Sequence, residues 1–267
     1  MKIGSQAAGK SAISASNADS IVVRGHDLCR DLIGHVSFTD LAWLLVAGRM
    51  PSAEQRRVLD ATLVAIAEHG LVPSVAAARM TLAAAPEAIQ GAVAAGILGC
   101  GSVILGSAES AARFFAGILG DNGSREVCAA VHATLVEARQ ARRAVPGYGH
   151  PLHKKRDPRV SRLLEIALDT GTAGRHVEVA RLVEKKLPDI LGKPLAMNVS
   201  GAIAAVLLDA GFPLLAVKGV PILARTASLM AHLLEEQERP IGFLLADSGA
   251  AGVGYDGAAP AGFVPSA

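Results

Sequence analysis

Helix start and stop signals recur along this sequence and restrict its fold more than any other feature. A capping box, Ser52-Ala53-Glu54-Gln55, follows Pro51, and apolar residues continue after it at helical spacing. Pro158 and Gly120 mark another helix start and another helix end. Apolar residues make up 51% of the chain and aromatic residues only 3%, which favours closely packed helices over a β-sandwich. The sequence therefore predicts an all-α fold.

Caps, prolines and apolar spacing place helices along most of the chain. The uncharged segment 88–108 contains five glycines and follows Pro86. We interpret it as a buried helix that ends in a glycine-rich turn, rather than as a membrane span. A short strand is expected at Ser20–Gly25. The other helices are expected to start at Ser52 and at Pro86 and to cover 107–119, 124–143, 158–170, 176–187, 198–210 and 220–238.

Charge balance and cysteine content argue against several classes of protein. The chain has 26 Lys and Arg against 24 Asp and Glu, which is too balanced for a dedicated nucleic-acid-binding protein. Its three cysteines are far apart and match neither a disulfide framework nor a zinc motif. No group of His, Cys and Asp has metal-ligand spacing. Because no apolar leader opens the sequence, we expect a cytoplasmic protein with no metal and no membrane partner.

Positive charge is concentrated in one segment. Residues 142–162 contain seven Lys or Arg and one Asp, although the whole chain has a net charge of only +2. Within this segment Gly147 and Gly149 flank Tyr148, and His150 follows. Exposed backbone N–H groups and an imidazole beside several cations suit a phosphorylated ligand with a reactive carbonyl or hydroxyl group. The alternative is a basic loop that only faces solvent.

The same segment resembles a known family. Val145–His150 followed by Lys154–Arg159 is similar to the signature of the citrate synthase family. The resemblance spans roughly residues 20–243, and the chain length is closer to the citryl-CoA lyase modules of that superfamily than to ordinary citrate synthases. Further stretches agree in the same order: Val23–Asp27, Asp31–Phe38, Glu68–Gly70, Asn198–Gly201, Gly211–Pro213, Ala224–Ala227, Ala231–His232 and Glu238–Pro240.

The resemblance implies roles for particular side chains. His150 matches the histidine that exchanges a proton with the oxygen of the oxaloacetate-derived centre, a task that suits an imidazole. Three arginines match those that bind the substrate carboxylates, since a guanidinium can bind a carboxylate bidentately. The implied site residues are His150, His69 and Ser200 for catalysis, Arg159, Arg225 and Arg239 for the carboxylates, and Gly147, Tyr148, Gly149, Lys154 and Lys155 for coenzyme A.

Two positions depart from the family pattern. Ser200 occupies the position of the family's catalytic Asp, and a serine hydroxyl cannot act as a base unaided. Asp209 lies nine residues further along, on the opposite face of the expected helix, so it does not replace that carboxylate. The stretch Val103–Ser107 lacks the histidine that polarises the thioester carbonyl in synthases. The lyase branch lacks that histidine too, so this second departure favours a lyase.

The resemblance favours an enzyme that cleaves citryl-CoA, or a related 3-hydroxy-3-carboxyacyl-CoA, to acetyl-CoA and oxaloacetate. Two alternatives stay open. One is a citrate synthase-type condensation of an acyl-CoA with a 2-oxo acid, and the other is a pseudoenzyme that binds coenzyme A and carboxylates without turnover because of Ser200. Coenzyme A enters as part of the substrate, with no permanently bound cofactor. The arginine matched by Arg239 reaches into a neighbouring subunit in the family, which implies a homodimer; whether dimers pair into a tetramer stays open.

The resemblance also implies two helical domains with the ligand between them. The large domain is expected to comprise 20–150 and 212–246, with a short strand or hairpin near its start, and the small domain 151–211. Composition adds a mobile N-terminal arm at 1–19 and a flexible Gly- and Ala-rich tail at 247–267.

Overall fold

The computed structural model describes residues 9–101, 103, 105–120, 127–149 and 157–263. Within these ranges the chain is mostly helical, as predicted, and three short strands lie near its N-terminus. A π-helical turn, Leu28–Leu32, and a 3₁₀ turn, Leu214–Ala216, separate longer elements. The strands are β1 (Ser14–Ser16), β2 (Ile21–Val23) and β3 (His26–Asp27); the helices are α1 (Phe38–Ala47), α2 (Ala53–Ala67), α3 (Pro73–Ala84), α4 (Ile89–Leu98), α5 (Ser107–Leu119), α6 (Val127–Gln140), α7 (Pro158–Asp169), α8 (Arg175–Leu191), α9 (Val199–Asp209), α10 (Gly219–Glu238) and α11 (Gly242–Ala251).

The strands form an antiparallel sheet in the order β1-β2-β3. Ser14 in β1 pairs with Val23 in β2, so residues 14–16 form a strand where a mobile arm was predicted. The backbone pairing with β2 explains the difference, because the small side chains of β1 give no apolar alternation in the sequence. Val23 also packs with the buried Leu32 and Leu44, which ties the sheet to α1.

Local capping signals place helices where the sequence predicted them. Ser52 N donates to Gln55 Oε1 (2.9 Å), and Gln55 N donates to Ser52 Oγ (3.2 Å). This is the reciprocal pair of a capping box, and it begins α2. The helix expected from Pro86 begins instead at Ile89. The delay arises because Ala88 N donates to the carbonyl of Ala85 (3.0 Å) and closes a turn around Pro86.

Helix α11 extends into the segment predicted to be a flexible tail, so residues 247–251 are helical. The Glu236 carboxylate explains where this helix begins. It accepts the N–H groups of Ile241 (3.0 Å) and Gly242 (2.7 Å), which satisfies amide donors that a helix start leaves unpaired. Gly242 fits this place because a Cβ there would lie 2.5 Å from the Cβ of Ala83.

The described chain divides into two compact units. The first comprises the residues up to 62 and 108–217, and it contains the almost wholly buried helix α9. The second comprises 63–107 and the residues from 218 onward, and its core joins α3, α4 and α10 through residues such as Val75, Leu82 and Leu229. These units group the chain differently from the predicted large and small domains, whose division stays a prediction.

Among the described residues, one segment reaches the length and apolar character that crossing a membrane requires, Leu214–Glu238. Length and composition are the only grounds for this, and core helices of soluble proteins meet the same test. The segment 88–108 contains an apolar helix, α4, as predicted, but of its residues only Ala92 and Gly96 are buried, so the prediction of a buried helix was wrong.

Candidate active site

The glycine-rich turn at 145–149 is fixed to the start of α9. Asn198 N donates to the carbonyl of Gly147 (2.9 Å), and Asn198 Nδ2 donates to the carbonyl of Gly149 (2.9 Å). A Cβ on Gly147 would lie 2.9 Å from the Cα of Gly201, and the φ of Gly147 is +88°. Glycine is therefore required at 147 both for its backbone conformation and for this close approach.

Tyr148, predicted to contact coenzyme A, has a buried side chain. Its hydroxyl donates to the carbonyl of Ala180 in α8 (2.6 Å), and its ring packs edge-on against Phe115. Burial raises the pKa of Tyr148 well above its usual value, and the charge of Glu184 adds to the effect. The side chain thus holds the turn in place, and a contact of this residue with coenzyme A stays a prediction.

Ser200 lies in the first turn of α9 and is half-buried. The N-cap of that helix is Asn198, whose Oδ1 accepts from Gly201 N (3.2 Å). The amide groups at a helix N-terminus carry partial positive charge and stabilise a nearby anion. The position of Ser200 therefore suits hydrogen bonding to a developing negative charge better than it suits abstraction of a proton.

Asp209, at the other end of α9, has a structural role. Its carboxylate accepts from the N–H groups of Gly174 (2.7 Å), His176 (2.9 Å) and Val177 (2.9 Å) at the start of α8, and His176 Nδ1 lies 2.8 Å away. Burial alone would raise the pKa of Asp209, but these hydrogen bonds outweigh it and leave the pKa below its usual value. The carboxylate is fully used as a helix cap, so it does not replace the missing Asp at 200.

Arg159 in α7 is held by a buried carboxylate. Arg159 Nε donates to Asp157 Oδ1 (3.0 Å) and Nη2 donates to Asp157 Oδ2 (2.8 Å). Asp157 also caps α7, since its Oδ1 accepts from Arg159 N (3.1 Å). The guanidinium is thereby fixed in one orientation with further N–H donors outside this pair.

A cavity of about 400 Å³ lies beside the glycine-rich turn. Four basic side chains and several apolar ones line it. A pocket with this mixture suits an anionic ligand that also has an apolar body. The lining residues are Ala138, Arg139, Arg142, Arg143, Ala144, Val145, Tyr148, Leu191, Lys193 and Leu195.

In the second unit, Glu68 organises the turn that carries His69. Glu68 Oε1 accepts from His69 N (2.8 Å) and from Gly70 N. Glu68 Oε2 accepts from the Ser228 hydroxyl and lies 3.0 Å from His232 Nε2, and both of these residues belong to α10. Burial would raise the pKa of Glu68, but these hydrogen bonds lower it below its usual value. The carboxylate is therefore ionised at neutral pH.

Arg225 in α10 is a buried cation with an incomplete set of partners. Only 2% of the residue is exposed, and its Nε and Nη1 have no hydrogen-bond partner among the residues that the structure describes. Burial lowers the pKa of Arg225, while the nearby charge of Glu68 partly offsets this effect. Buried guanidinium N–H groups are costly to leave unpaired, so this site is suited to receive an anion.

Arg239 follows α10, and its side chain is exposed. Its carbonyl accepts from Arg79 Nη2 (3.0 Å). Arg79 is itself buried, and it donates from Nε to Glu236 (2.6 Å) and from Nη1 to Glu235 (2.7 Å). This network fixes the backbone at Arg239 and leaves its guanidinium accessible.

The family of this chain follows from a comparison with known protein families. Residues 51–242, more than half of the chain, match the citrate synthase C-terminal domain family. The chain belongs to the citrate synthase family. The resemblance predicted from the glycine-rich turn is thereby confirmed. A comparison with curated proteins gives no match.

Solved structures of this family share the fold. A citryl-CoA lyase from Hydrogenobacter thermophilus is 32% identical over 97% of this chain and 98% of its own, with a TM-score of 0.85. An ATP citrate lyase from Methanothrix soehngenii, in complex with citrate and coenzyme A, is 19% identical over 96% of this chain and 43% of its own, with a TM-score of 0.76. A citrate synthase from Thermoplasma acidophilum is 20% identical over 86% of this chain and 59% of its own, with a TM-score of 0.66. At these identities the last two show the fold alone.

The structure describes most of the site residues that the citrate synthase resemblance implies, and it divides them between the two units. Their roles in binding and catalysis stay predictions. Gly147, Tyr148, Gly149, Arg159 and Ser200 belong to the first unit; His69, Arg225 and Arg239 belong to the second; His150, Lys154 and Lys155 lie outside the described residues.

Sequence reasoning missed Glu68, Arg79 and Lys193 as individual residues. Glu68 had a local signal, because an acid directly before a His-Gly pair can accept both following N–H groups. Arg79 had none, since its partners lie far along the chain in α10.

Proposed function

We propose that this protein cleaves citryl-CoA, or a related 3-hydroxy-3-carboxyacyl-CoA, to acetyl-CoA and oxaloacetate. The observation that carries the proposal is Arg225, a buried guanidinium with Nε and Nη1 unpaired among the described residues. A substrate carboxylate supplies the charge and the two acceptor atoms that this group lacks. Family membership and the 32% identity to a citryl-CoA lyase support the same reaction.

Arg159 and Arg239 are both candidates for the second free carboxylate of the substrate. Arg159 is already oriented by Asp157 and keeps further N–H donors outside that pair. Arg239 has an accessible guanidinium on a fixed backbone. A tricarboxylate thioester carries two free carboxylates, so Arg225 and one of these cations suffice for charge balance.

The bond cleavage needs a base and a site for a developing enolate. We assign the base to His150 from its motif: it takes the proton of the tertiary hydroxyl, and that oxygen becomes the ketone oxygen of oxaloacetate. The electrons of the broken C–C bond pass into the thioester and form the acetyl-CoA enolate. Hydrogen bonding from Ser200 at the start of α9 stabilises that enolate until its methylene carbon takes a proton from solvent water.

Coenzyme A is assigned to the cavity beside the glycine-rich turn. Its phosphates suit the basic side chains there, with Arg142 and Lys193 among them, and its apolar parts suit Val145 and Leu195. Lys154 and Lys155 remain candidates from the sequence.

The direct test mixes the purified protein with synthetic citryl-CoA and follows oxaloacetate through its reduction by malate dehydrogenase and NADH. The proposal predicts oxaloacetate and acetyl-CoA in equal amounts. Citrate and free coenzyme A as the only products would indicate a thioesterase instead. Release of free thiol from acetyl-CoA plus oxaloacetate would favour a citrate synthase-type condensation.

A second candidate rests on Ser200, which stands where the family has an Asp: a pseudoenzyme that binds coenzyme A and carboxylates without turnover. Ser200→Asp separates the two functions, because general acid–base groups contribute about 10²–10⁴-fold. For a lyase limited by proton transfer, we expect citryl-CoA cleavage to rise by at least tenfold, with Ser200→Ala as the matched control. Saturable coenzyme A binding with no cleavage by either the wild type or Ser200→Asp would favour the pseudoenzyme.

A further inference from the structure

Glu68 connects the two parts of the second unit that carry His69 and Arg225. One of its oxygens, Oε1, accepts from two successive backbone N–H groups, those of His69 and Gly70. The other, Oε2, is bound by Ser228 and His232 of α10. These four interactions engage the carboxylate although 52% of the Glu68 side chain is exposed. Four partners hold this carboxylate in one orientation, whereas a surface carboxylate gains little from a single partner.

The partners of Glu68 lie on the same face of α10 as Arg225. Positions 225, 228 and 232 are spaced by three and four residues, so their side chains line one side of the helix. Ser228 is buried, as is Arg225. The Glu68 carboxylate therefore holds the His69 turn against the side of α10 that carries Arg225, whose Nε and Nη1 lack partners among the described residues.

The Glu68 carboxylate also acts on Arg225 through its negative charge. Its negative charge acts on the guanidinium through space, and the structure records no hydrogen bond between the two groups that would occupy Nε or Nη1. A counter-charge that stays off these nitrogens reduces the cost of burying the cation and leaves its donors for a ligand.

We propose that Glu68 is a positioning residue of the carboxylate site: it fixes the His69 turn relative to Arg225 through Ser228 and His232, and it supplies a counter-charge to Arg225 without occupying Nε or Nη1. The inference rests on the proposed function, in which His69 and Arg225 bind the substrate. It makes the Glu68 side chain necessary for affinity although it does not itself touch the substrate.

The test compares Glu68→Ala, Glu68→Gln and the control Glu87→Ala, an exposed acid of the same unit, in the full chain with citrate as the probe. Calorimetry is expected to show the citrate dissociation constant raised about 100-fold in Glu68→Ala and about tenfold in Glu68→Gln. The amide keeps an oxygen for the two backbone N–H groups, so partial rescue is expected. Glu87→Ala is expected to match the wild type.

A spectroscopic readout separates positioning from folding. The amide proton signals of His69 and Gly70 are expected to move upfield in Glu68→Ala, and the Nε–H signal of Arg225 is expected to shift in the same spectrum. Ser228→Ala is expected to move the same signals by a smaller amount. Thermal unfolding of each variant checks that these changes occur in folded protein.

The outcomes distinguish this inference from the proposed function. If the wild type cleaves citryl-CoA and Glu68→Ala binds citrate as tightly as Glu87→Ala does, the role of Glu68 is wrong and the lyase stands. If the wild type neither binds citrate nor cleaves citryl-CoA, the proposed function is wrong, and the signals of His69 and Arg225 still decide the positioning. Unchanged His69 and Arg225 signals in Glu68→Ala would overturn the positioning role of Glu68.

Discussion

Two arginines of the second unit are equally buried and differ in what surrounds them. Arg79 and Arg225 are each 2% exposed. Arg79 is bound by Glu235, Glu236 and the carbonyl of Arg239, whereas Nε and Nη1 of Arg225 lack partners among the described residues. Burial would lower the pKa of Arg79, but its two carboxylates raise it above the usual value. Burial lowers the pKa of Arg225.

This difference distinguishes a structural ion network, at Arg79, from the proposed carboxylate-binding site at Arg225. A buried charge that the protein satisfies internally contributes to the fold, and removing one partner exposes the cost of the other. A buried charge that the protein leaves unsatisfied costs stability, which a ligand recovers on binding. Burial alone would have placed both arginines in the same class, so the pattern of partners is the informative feature.

Arg79→Met tests the structural half of the comparison and has the largest expected effect on stability. Removing the guanidinium leaves the buried carboxylate of Glu236 without its counter-charge, so the free energy of unfolding should fall by about 3–5 kcal/mol. Urea denaturation measures this loss. A loss below about 1 kcal/mol would show that the network contributes little to the fold.

Arg225→Met tests the binding half with the same substitution. Losing a buried, charge-assisted contact to the substrate should lower kcat/KM for citryl-CoA about 10²–10³-fold. The free energy of unfolding should stay the same or rise, because the variant removes a buried charge, two of whose nitrogens lack partners among the described residues. Turnover and urea denaturation on one preparation give both values; a destabilised variant with normal turnover would reverse the assignments of the two arginines.

Asp209→Asn extends the comparison to the first unit, where the Asp209 carboxylate is hydrogen-bonded within the protein. The expected effect on stability is smaller. The pKa of Asp209 is lowered in the folded protein, so its carboxylate stabilises the fold above the unfolded value of about 3.9. That contribution is lost as the pH falls through the lower folded value. At pH 7 the variant should unfold about 1–2 kcal/mol more easily.

The stability of Asp209→Asn at acidic pH checks this assignment. The stability difference between Asp209→Asn and the wild type should shrink as the pH falls below about 4. Denaturation curves collected between about pH 3 and pH 7, a range that includes the reference pKa, measure this difference in stability. A difference that stays constant over this range would show that the charge of Asp209 has no part in capping α8.

Lys193→Ala should have the smallest effect. One cation at the edge of the cavity proposed for coenzyme A contributes roughly 1 kcal/mol, so KM for citryl-CoA should rise about fivefold while kcat is retained. Lys185→Ala, an exposed cation of α8, is the matched control. Equal KM values for both variants would show that the phosphates of coenzyme A bind outside this cavity.

The sequence was sufficient for those parts of the fold that depend on local chemistry. The Ser52 and Gln55 box, the proline at the start of α7 and the glycine after α5 act within one or two helical turns, and the structure has helix boundaries at each of them. The strand β1 and the helical part of the predicted tail depend instead on partners elsewhere in the chain. Their residues, small and weakly patterned, give no periodic signal.

The site was predictable as a list of residues but not as an arrangement. The motif identified Tyr148 and Arg225 without showing that the Tyr148 hydroxyl binds α8 or that two Arg225 nitrogens lack partners within the part of the chain that the structure describes. Both facts arise from packing between distant segments, as do the interactions of Glu68 with Ser228 and His232. A motif conveys residue types in order, whereas hydrogen-bond satisfaction is a property of the folded chain.

The most direct measurement of the central claim is a citrate titration that follows the Nε–H signals of Arg225 and Arg79 in one ¹⁵N-edited spectrum. Each signal is assigned by its disappearance in the corresponding Met variant. The account predicts that the Arg225 signal shifts with saturable dependence on citrate concentration, while the Arg79 signal stays in place. An Arg225 signal that does not respond to citrate at concentrations that saturate the protein would contradict it.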